Sequence, residues 1–382
     1  MRTITLGGEK VPRSPRLFSK RIRRTEKGIA PGELVRVVDG GGRFVGRAFY
    51  SPDSVIAARI VDRLEDGPPL DKNWWTARFR EAHELRTKIL RLPQVTDAYR
   101  VVHAEGDGLS GLIVDRYRGI AVVEVGCRGV FNHMDEIEES LREVLDVGTV
   151  VVRADEGVEK RERFRANDPH GKPAVTEIKE HGISYVVDGR GGHKTGFFCD
   201  QREARLIVHQ IARGRTVLDC CSYTGGFALN AARGDAAEVT AVDLDEWAVD
   251  QVQQNAKRNG IRLHAEHADA FDFLRSNPKA DIVILDPPKW ARDRRALETA
   301  RRKNIDLNAL GLRAVNPGGM LFTFSCTGLV SAEEFEHQIK DAARKANRSA
   351  RILRRTLQPP DHPIAFDCPE TEYLHGLLLQ VT

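Results

Sequence analysis

The sequence has no long apolar run, no paired cysteine spacing and little net charge. No stretch approaches the roughly 20 apolar residues that cross a bilayer, which excludes a spanning helix and a membrane partner. Met1 to Gly8 show no apolar core followed by a cleavage site, so no signal peptide is expected. The six cysteines are scattered, without Cys-x-x-Cys or a histidine at ligand spacing. That argues against a disulfide framework and against any metal site, and it points to a reducing cytoplasm. No internal repeat or low-complexity segment is visible. What remains is 382 residues, 41% hydrophobic and 30% charged, a soluble globular composition long enough for two or three domains.

Residues 1–70 read as short β segments punctuated by glycine. Leu34–Val38 and Phe44–Tyr50 flank the turn Asp39-Gly40-Gly41-Gly42, and Val55–Val61 follows. A small barrel is the natural packing of such pieces. A helix is expected from Asp71, its cap, to Arg91, halted by Pro93. Its Trp74, Trp75, Phe79, Leu85 and Ile89 read as packing residues. Strands at Tyr99–His103, Gly111–Asp115 and Gly119–Val125, a helix over 131–145, and strands at Thr149–Arg153 and Ile183–Val187 make a middle α+β module over 71–190. From about Gly196 the texture turns to strand–helix alternation, with strands at Thr216–Asp219, Glu238–Asp243, Asp281–Asp286 and Met320–Ser325. This is the rhythm of a mostly parallel, doubly wound α/β sheet, assigned to 191–382.

The net charge of +4 is unevenly spread. Arg13, Arg16, Lys20, Arg21, Arg23, Arg24 and Lys27 crowd the amino end. Arg292, Arg294, Arg295, Arg301, Arg302 and Lys303 follow residue 286. Such clusters are either solvated faces or an electrostatic footprint for a polyanion. The second lies beside a candidate active site, which favours substrate contact there.

In an open α/β sheet, reactive groups gather at the carboxyl ends of strands. The first strand of this sheet ends in Asp219-Cys220-Cys221-Ser222-Tyr223-Thr224-Gly225-Gly226-Phe227. Glycines there let a ligand approach the backbone and free amides at a helix start. The loop has neither a Gly-x-Gly-x-x-Gly fingerprint nor a P-loop Gly-Lys-Ser/Thr. About twenty residues on, the next strand ends in Asp243, where an acid can hold ribose hydroxyls. Asp269 follows a third strand and is placed to accept from an exocyclic amine. Asp269 alone would also suit a helix cap, as Asp245 does. The apolar run Ile282–Leu285 then ends in Asp286-Pro287-Pro288-Lys289. This order resembles that of class I S-adenosylmethionine-dependent methyltransferases, whose nucleoside cofactor has no pyrophosphate to cradle.

The last motif is Phe324-Ser325-Cys326-Thr327-Gly328. A lone cysteine here would read as a buried packing residue. Beside a methyl donor it offers more. C5 of cytosine or uracil is a poor nucleophile until a thiolate adds at C6; a base must then remove the C5 proton. Nearby cations such as Lys289 would favour the thiolate, and Asp286 could hold the pyrimidine edge. Methylation of a nitrogen needs no thiol, so Cys326 separates carbon from nitrogen chemistry.

The chain resembles the bacterial 5-methylcytosine methyltransferases of large-subunit ribosomal RNA, the RlmI type, over nearly its whole length. Gly46-Arg47-Ala48-Phe49-Tyr50-Ser51-Pro52, near the amino end, is similar to that family's N-terminal PUA domain, a small RNA-binding barrel. Val102–Asp115 and Asp155–Arg161 resemble signatures of its linking module. Gly192–Arg202 is similar to the segment that closes over the cofactor, and Ser222–Phe227, Asp286–Lys289, Ser325–Gly328, Asp361-His362-Pro363 and Tyr373-Leu374 complete the set. Thr327 stands where the family often has serine. The resemblance implies a PUA domain, a middle module and a Rossmann-like methyltransferase domain. It also implies S-adenosyl-L-methionine as cofactor and Cys326 as nucleophile with Asp286 in catalysis. The cofactor would be held by Asp219, Ser222, Tyr223, Thr224, Gly225, Phe227, Asp243, Asp269, Lys194, Gln201 and Arg202. Pro287, Pro288, Lys289, Arg292 and Arg295 would meet the substrate. The implied partner is large-subunit ribosomal RNA or its assembly intermediate; a homodimer is compatible with the sequence, which demands none. The rival readings are an RNA methyltransferase of another position (uracil C5 or a purine) and a noncatalytic RNA-binding assembly factor. The combination of Asp243, Asp286 and Cys326 speaks against the last.

Overall fold

The computed structural model describes residues 1–166, 174–191, 196–291 and 293–382. The chain forms two compact units. One comprises Met1–Glu180, Val187–Cys199 and Pro360–Thr371; the other comprises His181–Val186, Asp200–Pro359 and Glu372–Thr382.

In the first unit the expected strands Leu34–Val38 and Phe44–Tyr50, and Ile56–Asp62 one residue along from the expected Val55–Val61, are joined by Thr3–Leu6, Arg16–Phe18 and Ile22–Thr25 in one six-stranded sheet. Alternate residues of these strands, among them Ile4, Leu17, Val35, Val37 and Ile60, close a small apolar core. A separate four-stranded sheet is built from Ala98–His103, Leu112–Tyr117, Ile120–Val125 and Thr149–Arg153. Trp74, Trp75 and Phe79 are buried in the core that covers it, as expected.

Two helix boundaries differ from the pattern reading. Asp71 does cap the first helix, accepting from Trp74 N at 3.1 Å. The α-helix, however, stops at Glu84, and Leu85–Ile89 is a π-helical turn. Ile89 is 72% exposed, so the apolar stripe that would carry a regular helix to Arg91 is absent. Arg86 sits in that turn with its guanidinium wholly buried, paired with Asp107 at 2.5 Å and donating to the Asp361 carbonyl at 2.6 Å. The second helix begins at Met134, after a separate turn at Arg128–Phe131, because His133 leaves helical backbone geometry (ψ 20°).

The second unit holds a seven-stranded sheet. In spatial order the strands are His264–His267, Glu238–Asp243, Thr216–Cys220, Ala280–Leu285, Val315–Ser325, His375–Val381 and Ala350–Leu357. The first five are parallel; His375–Val381 runs antiparallel to both neighbours. Chain order reverses at Thr216–Cys220, whose successors lie on opposite sides of it. Such a switch point opens a crevice at the carboxyl ends of the strands. Apolar cores flank the sheet on both faces and fix its strands in place.

Candidate active site

The loop after Thr216–Cys220 occupies that crevice. Cys221 and Tyr223 are held at φ 62° and 48°, and Gly225 at 85° opens the helix Gly226–Arg233. Left-handed backbone at two non-glycine residues costs energy and persists only where the surroundings enforce it. Here they do: Ser222 N donates to Val242 O at 3.1 Å, Asn255 Nδ2 to Thr224 O at 3.1 Å, and Tyr223 N to Asp243 Oδ2 at 2.7 Å. Asp243 Oδ1 accepts from Asp245 N at 3.0 Å. The carboxylate at the second strand end therefore shapes the loop at the first.

Asp219 lies fully buried beneath the loop. Its Oδ2 accepts from Ala228 N at 2.9 Å, while Oδ1 has no partner among the described residues; the buried Ser222 Oγ has none there either. Burial pushes the Asp219 carboxyl well above the usual carboxylate range, against the pull of the Ala228 N–H, and the fields of Asp286 and Asp243 push it further. Asp269 caps the helix Ala270–Arg275, with Oδ1 accepting from Phe271 N and Asp272 N at 2.8 and 3.1 Å. Both bonds fall on one oxygen, which leaves Oδ2 for a ligand. Phe227 sits lower, stacked on Phe324 at 5.3 Å in the core, and so anchors the loop. Gln201 and Arg202 are both buried at the start of the helix Arg202–Ile211. Lys194 and Arg292 lie outside the described residues.

The other two motifs end adjacent parallel strands. Asp286 N donates to Cys220 O at 3.4 Å, tying this strand end to the cofactor-type loop. Cys326 is half-buried, and its Sγ lies 3.7 Å from Pro287 O as a donor. Pro287, Pro288, Trp290, Ser325 and Cys326 share one pocket. Lys289 and Arg295 are exposed beyond it, neither in an ion pair among the described residues.

Three residues near these groups went unread in the sequence. Leu244 and Trp247 follow Asp243 and are 66% and 43% exposed, with Trp247 6.1 Å from the Tyr223 ring. Their signal was two large apolar residues at a polar helix start. His375 pairs with Ser325 across the antiparallel strand, and burial lowers its pKa while the Glu372 charge and a hydrogen bond to the Val330 backbone oppose. It braces the turn after Cys326. Nothing local distinguishes it, because its neighbour is set by a strand pairing fifty residues apart.

Comparison with known proteins agrees with this geometry. Residues 161–378 match the family model described as S-adenosylmethionine-dependent methyltransferase, and residues 13–63 match that of a PUA-like domain. Ribosomal RNA large subunit methyltransferase I of Erwinia tasmaniensis is 36% identical over 97% of this chain and 96% of its own length. The chain belongs to the ribosomal RNA large subunit methyltransferase I family. The protein of that name from Tolumonas auensis is 37% identical over 96% of this chain and 95% of its own length. S-adenosylmethionine is accordingly the cofactor. A crystal structure of a methyltransferase-like protein complexed with SAH covers 100% of both chains at a TM-score of 0.84 and 23% identity. One from Streptococcus mutans gives 0.81 at the same identity and coverage. At that identity the likeness is one of fold, with a Rossmann-like methyltransferase sheet.

The acceptors described for this family member suit its cofactor. S-adenosylmethionine brings an ammonium and ribose hydroxyls, which are the donors that the unpartnered Asp219 Oδ1 and Ser222 Oγ require. Among the described residues no helix is long and apolar enough to cross a membrane, and no cluster of ligating side chains could hold a metal ion.

Proposed function

We propose that this chain forms 5-methylcytosine in large-subunit ribosomal RNA through a covalent bond between Cys326 Sγ and C6 of the base. The observation that carries the proposal is the contact of Cys326 Sγ with the Pro287 carbonyl, at strand ends that adjoin the cofactor crevice. A thiol has no use in methylating a nitrogen, whereas carbon methylation requires a nucleophile there.

Asp219 would take the ammonium of the cofactor, Asp243 the ribose and Asp269 the adenine amine, with Leu244 and Trp247 flanking the nucleoside. Bound there, S-adenosylmethionine supplies an electrophilic methyl group. Cys326 would add to C6 as thiolate and place an electron pair at C5, which would take up the methyl as the methyl–sulfur bond breaks to leave S-adenosylhomocysteine. The C5 proton then passes to a base, and the C6–S bond breaks to restore the ring and the free thiolate. Asp286 would hold the pyrimidine edge during attack. The target base must leave its stack to reach the pocket, which suits an unpaired or flipped nucleotide.

The division into a PUA-like domain over 1–70, a middle module over 71–190 and a methyltransferase domain over 191–382 gives each part a task. In the first, Arg2, Arg36, Arg47 and Arg59 are each spent on a carboxylate. Lys20, Arg21, Arg23, Arg24 and Lys27, in and around the edge strand Ile22–Thr25, are exposed and form no ion pair among the described residues. Unspent cations on a sheet edge are what phosphate contacts need.

The test is nucleoside mass analysis of large-subunit ribosomal RNA incubated with the protein and labelled S-adenosylmethionine, wild type beside Cys326→Ala. Label in 5-methylcytidine from wild type alone is the expected result. Label in another nucleoside, or label that survives the substitution, overturns the proposal.

A further inference from the structure

We propose that Asn304 and Gln338 form a base-reading wall beside Cys326 that accepts cytosine and refuses uracil, with its direction set by Glu334. The inference rests on the pyrimidine-C5 reading above and adds how the base is chosen.

Asn304, on the helix Leu297–Ala314, and Gln338, on the helix Ala332–Ala346, line the same pocket as Cys326, Pro287 and Trp290. Both amides are buried, at 7% and 2% exposure. They belong to a ladder. Asn308 Nδ2 donates to Asn304 Oδ1 at 2.9 Å, Asn304 Nδ2 to Gln338 Oε1 at 2.6 Å, and Gln338 Nε2 to Glu334 Oε1 at 3.2 Å.

A primary amide can usually be turned round, exchanging donor for acceptor. This ladder cannot, because an ionised carboxylate only accepts. Glu334 forces the Gln338 NH2 toward itself, which leaves Gln338 Oε1 to accept from Asn304 and Asn304 Oδ1 to accept from Asn308. Arg301 holds Glu334 in place at 3.2 Å. Each NH2 has two hydrogens and spends one within the ladder, which leaves each a second hydrogen for a base in the pocket that both residues line. Cytosine presents two adjacent acceptors, O2 and N3. Uracil replaces the second with an N3–H donor, and two donors facing each other in a buried pocket leave both unsatisfied. Sites that pair with a polar edge discriminate strongly against a base that lacks it.

The experiment uses two RNA oligonucleotides that differ only in cytosine or uracil at the target position. It compares kcat/KM for the pair in wild type, Glu334→Gln and Gln338→Met, with S-adenosylmethionine affinity by calorimetry as the folding control. A glutamine at 334 can donate as well as accept, so the ladder can run either way. The cytosine-to-uracil ratio is expected to fall at least about tenfold in both variants. Equal losses on both bases, or an unchanged ratio with cofactor binding intact, overturn the proposal and leave the ladder as packing. If Gln338→Met loses cofactor binding, Glu334→Gln decides, since its side chain is 43% exposed. Wild-type preference for uracil overturns the wall while sparing the thiol chemistry; turnover on neither base overturns both.

Discussion

Cys326 Sγ meets the backbone of the neighbouring strand end directly, as a donor to Pro287 O at 3.7 Å. The contact places a half-buried thiol, in a strand-end Ser-Cys-Thr motif, against the Asp-Pro-Pro-Lys turn and in the wall of a pocket. The remaining thiols are arranged differently, which makes the difference measurable.

Cys127, Cys199, Cys220 and Cys368 are buried. Burial pushes the thiols of Cys127, Cys220 and Cys221 up, and that of Cys368 to about 11. Since the thiolate is the reactive form, iodoacetamide at pH 8 is expected to label Cys326 before the others, read by peptide mass mapping. Earlier labelling of Cys221 or Cys368 would contradict this exposure pattern.

Asp243 accepts from two backbone amides while facing the crevice. Asp243→Ala should weaken S-adenosylmethionine binding by about 1–3 kcal/mol, measured calorimetrically, through lost ribose contacts and a looser Tyr223. Unchanged affinity would move the ribose site elsewhere.

Asp219 carries a raised pKa when folded, so its contribution to stability is present at low pH and is lost as pH rises through the folded value. An ammonium at Oδ1 reverses that preference. Cofactor binding should therefore release a proton, seen as a buffer-dependent heat in calorimetry. Asp219→Asn should raise the Tm of the cofactor-free protein at pH 8 and abolish the proton release. A heat independent of buffer would place the ammonium away from Asp219.

Glu105 provides the opposite sign. Burial raises its pKa, but the hydrogen bond and charge of Arg16, with Ser110 and Arg59, outweigh it and leave the carboxyl at about 2, against an ordinary 4.5. That stability is present above the unfolded value and is lost as pH falls from about 4.5 toward 2, a contribution of about 3 kcal/mol. Urea midpoints should drop between pH 5 and pH 3 in wild type, and drop less in Glu105→Gln.

The candidate site was legible in the sequence where its residues end strands, because short apolar runs followed by Asp, Gly or Cys announce themselves locally. Asp243, Asp286 and Cys326 fall at the ends of the strands read for them, and Asp245 caps its helix by accepting from Trp247 N at 3.0 Å. The final two strands and His375 were not legible, since antiparallel pairing with Ser325 depends on distant register. The three small strands near the amino end were hidden by their shortness and their charges, as in Ile22-Arg23-Arg24-Thr25. The π-helical turn escaped because a buried arginine, rather than apolar spacing, occupies it.

The chain passes from one unit to the other five times, at 180/181, 186/187, 199/200, 359/360 and 371/372. Neither unit can therefore be excised as a continuous stretch. Cutting at residue 200 would deprive the first unit of Pro360–Thr371, and with it the Asp361 carbonyl that the buried Arg86 guanidinium uses. The two compact units are thus not separable by simple truncation. For the same reason, recombination between relatives would have to respect these crossings, whereas the amino-terminal sheet draws its six strands from an uninterrupted run, tied to the rest of its unit by the Arg16 and Arg59 pairs with Glu105.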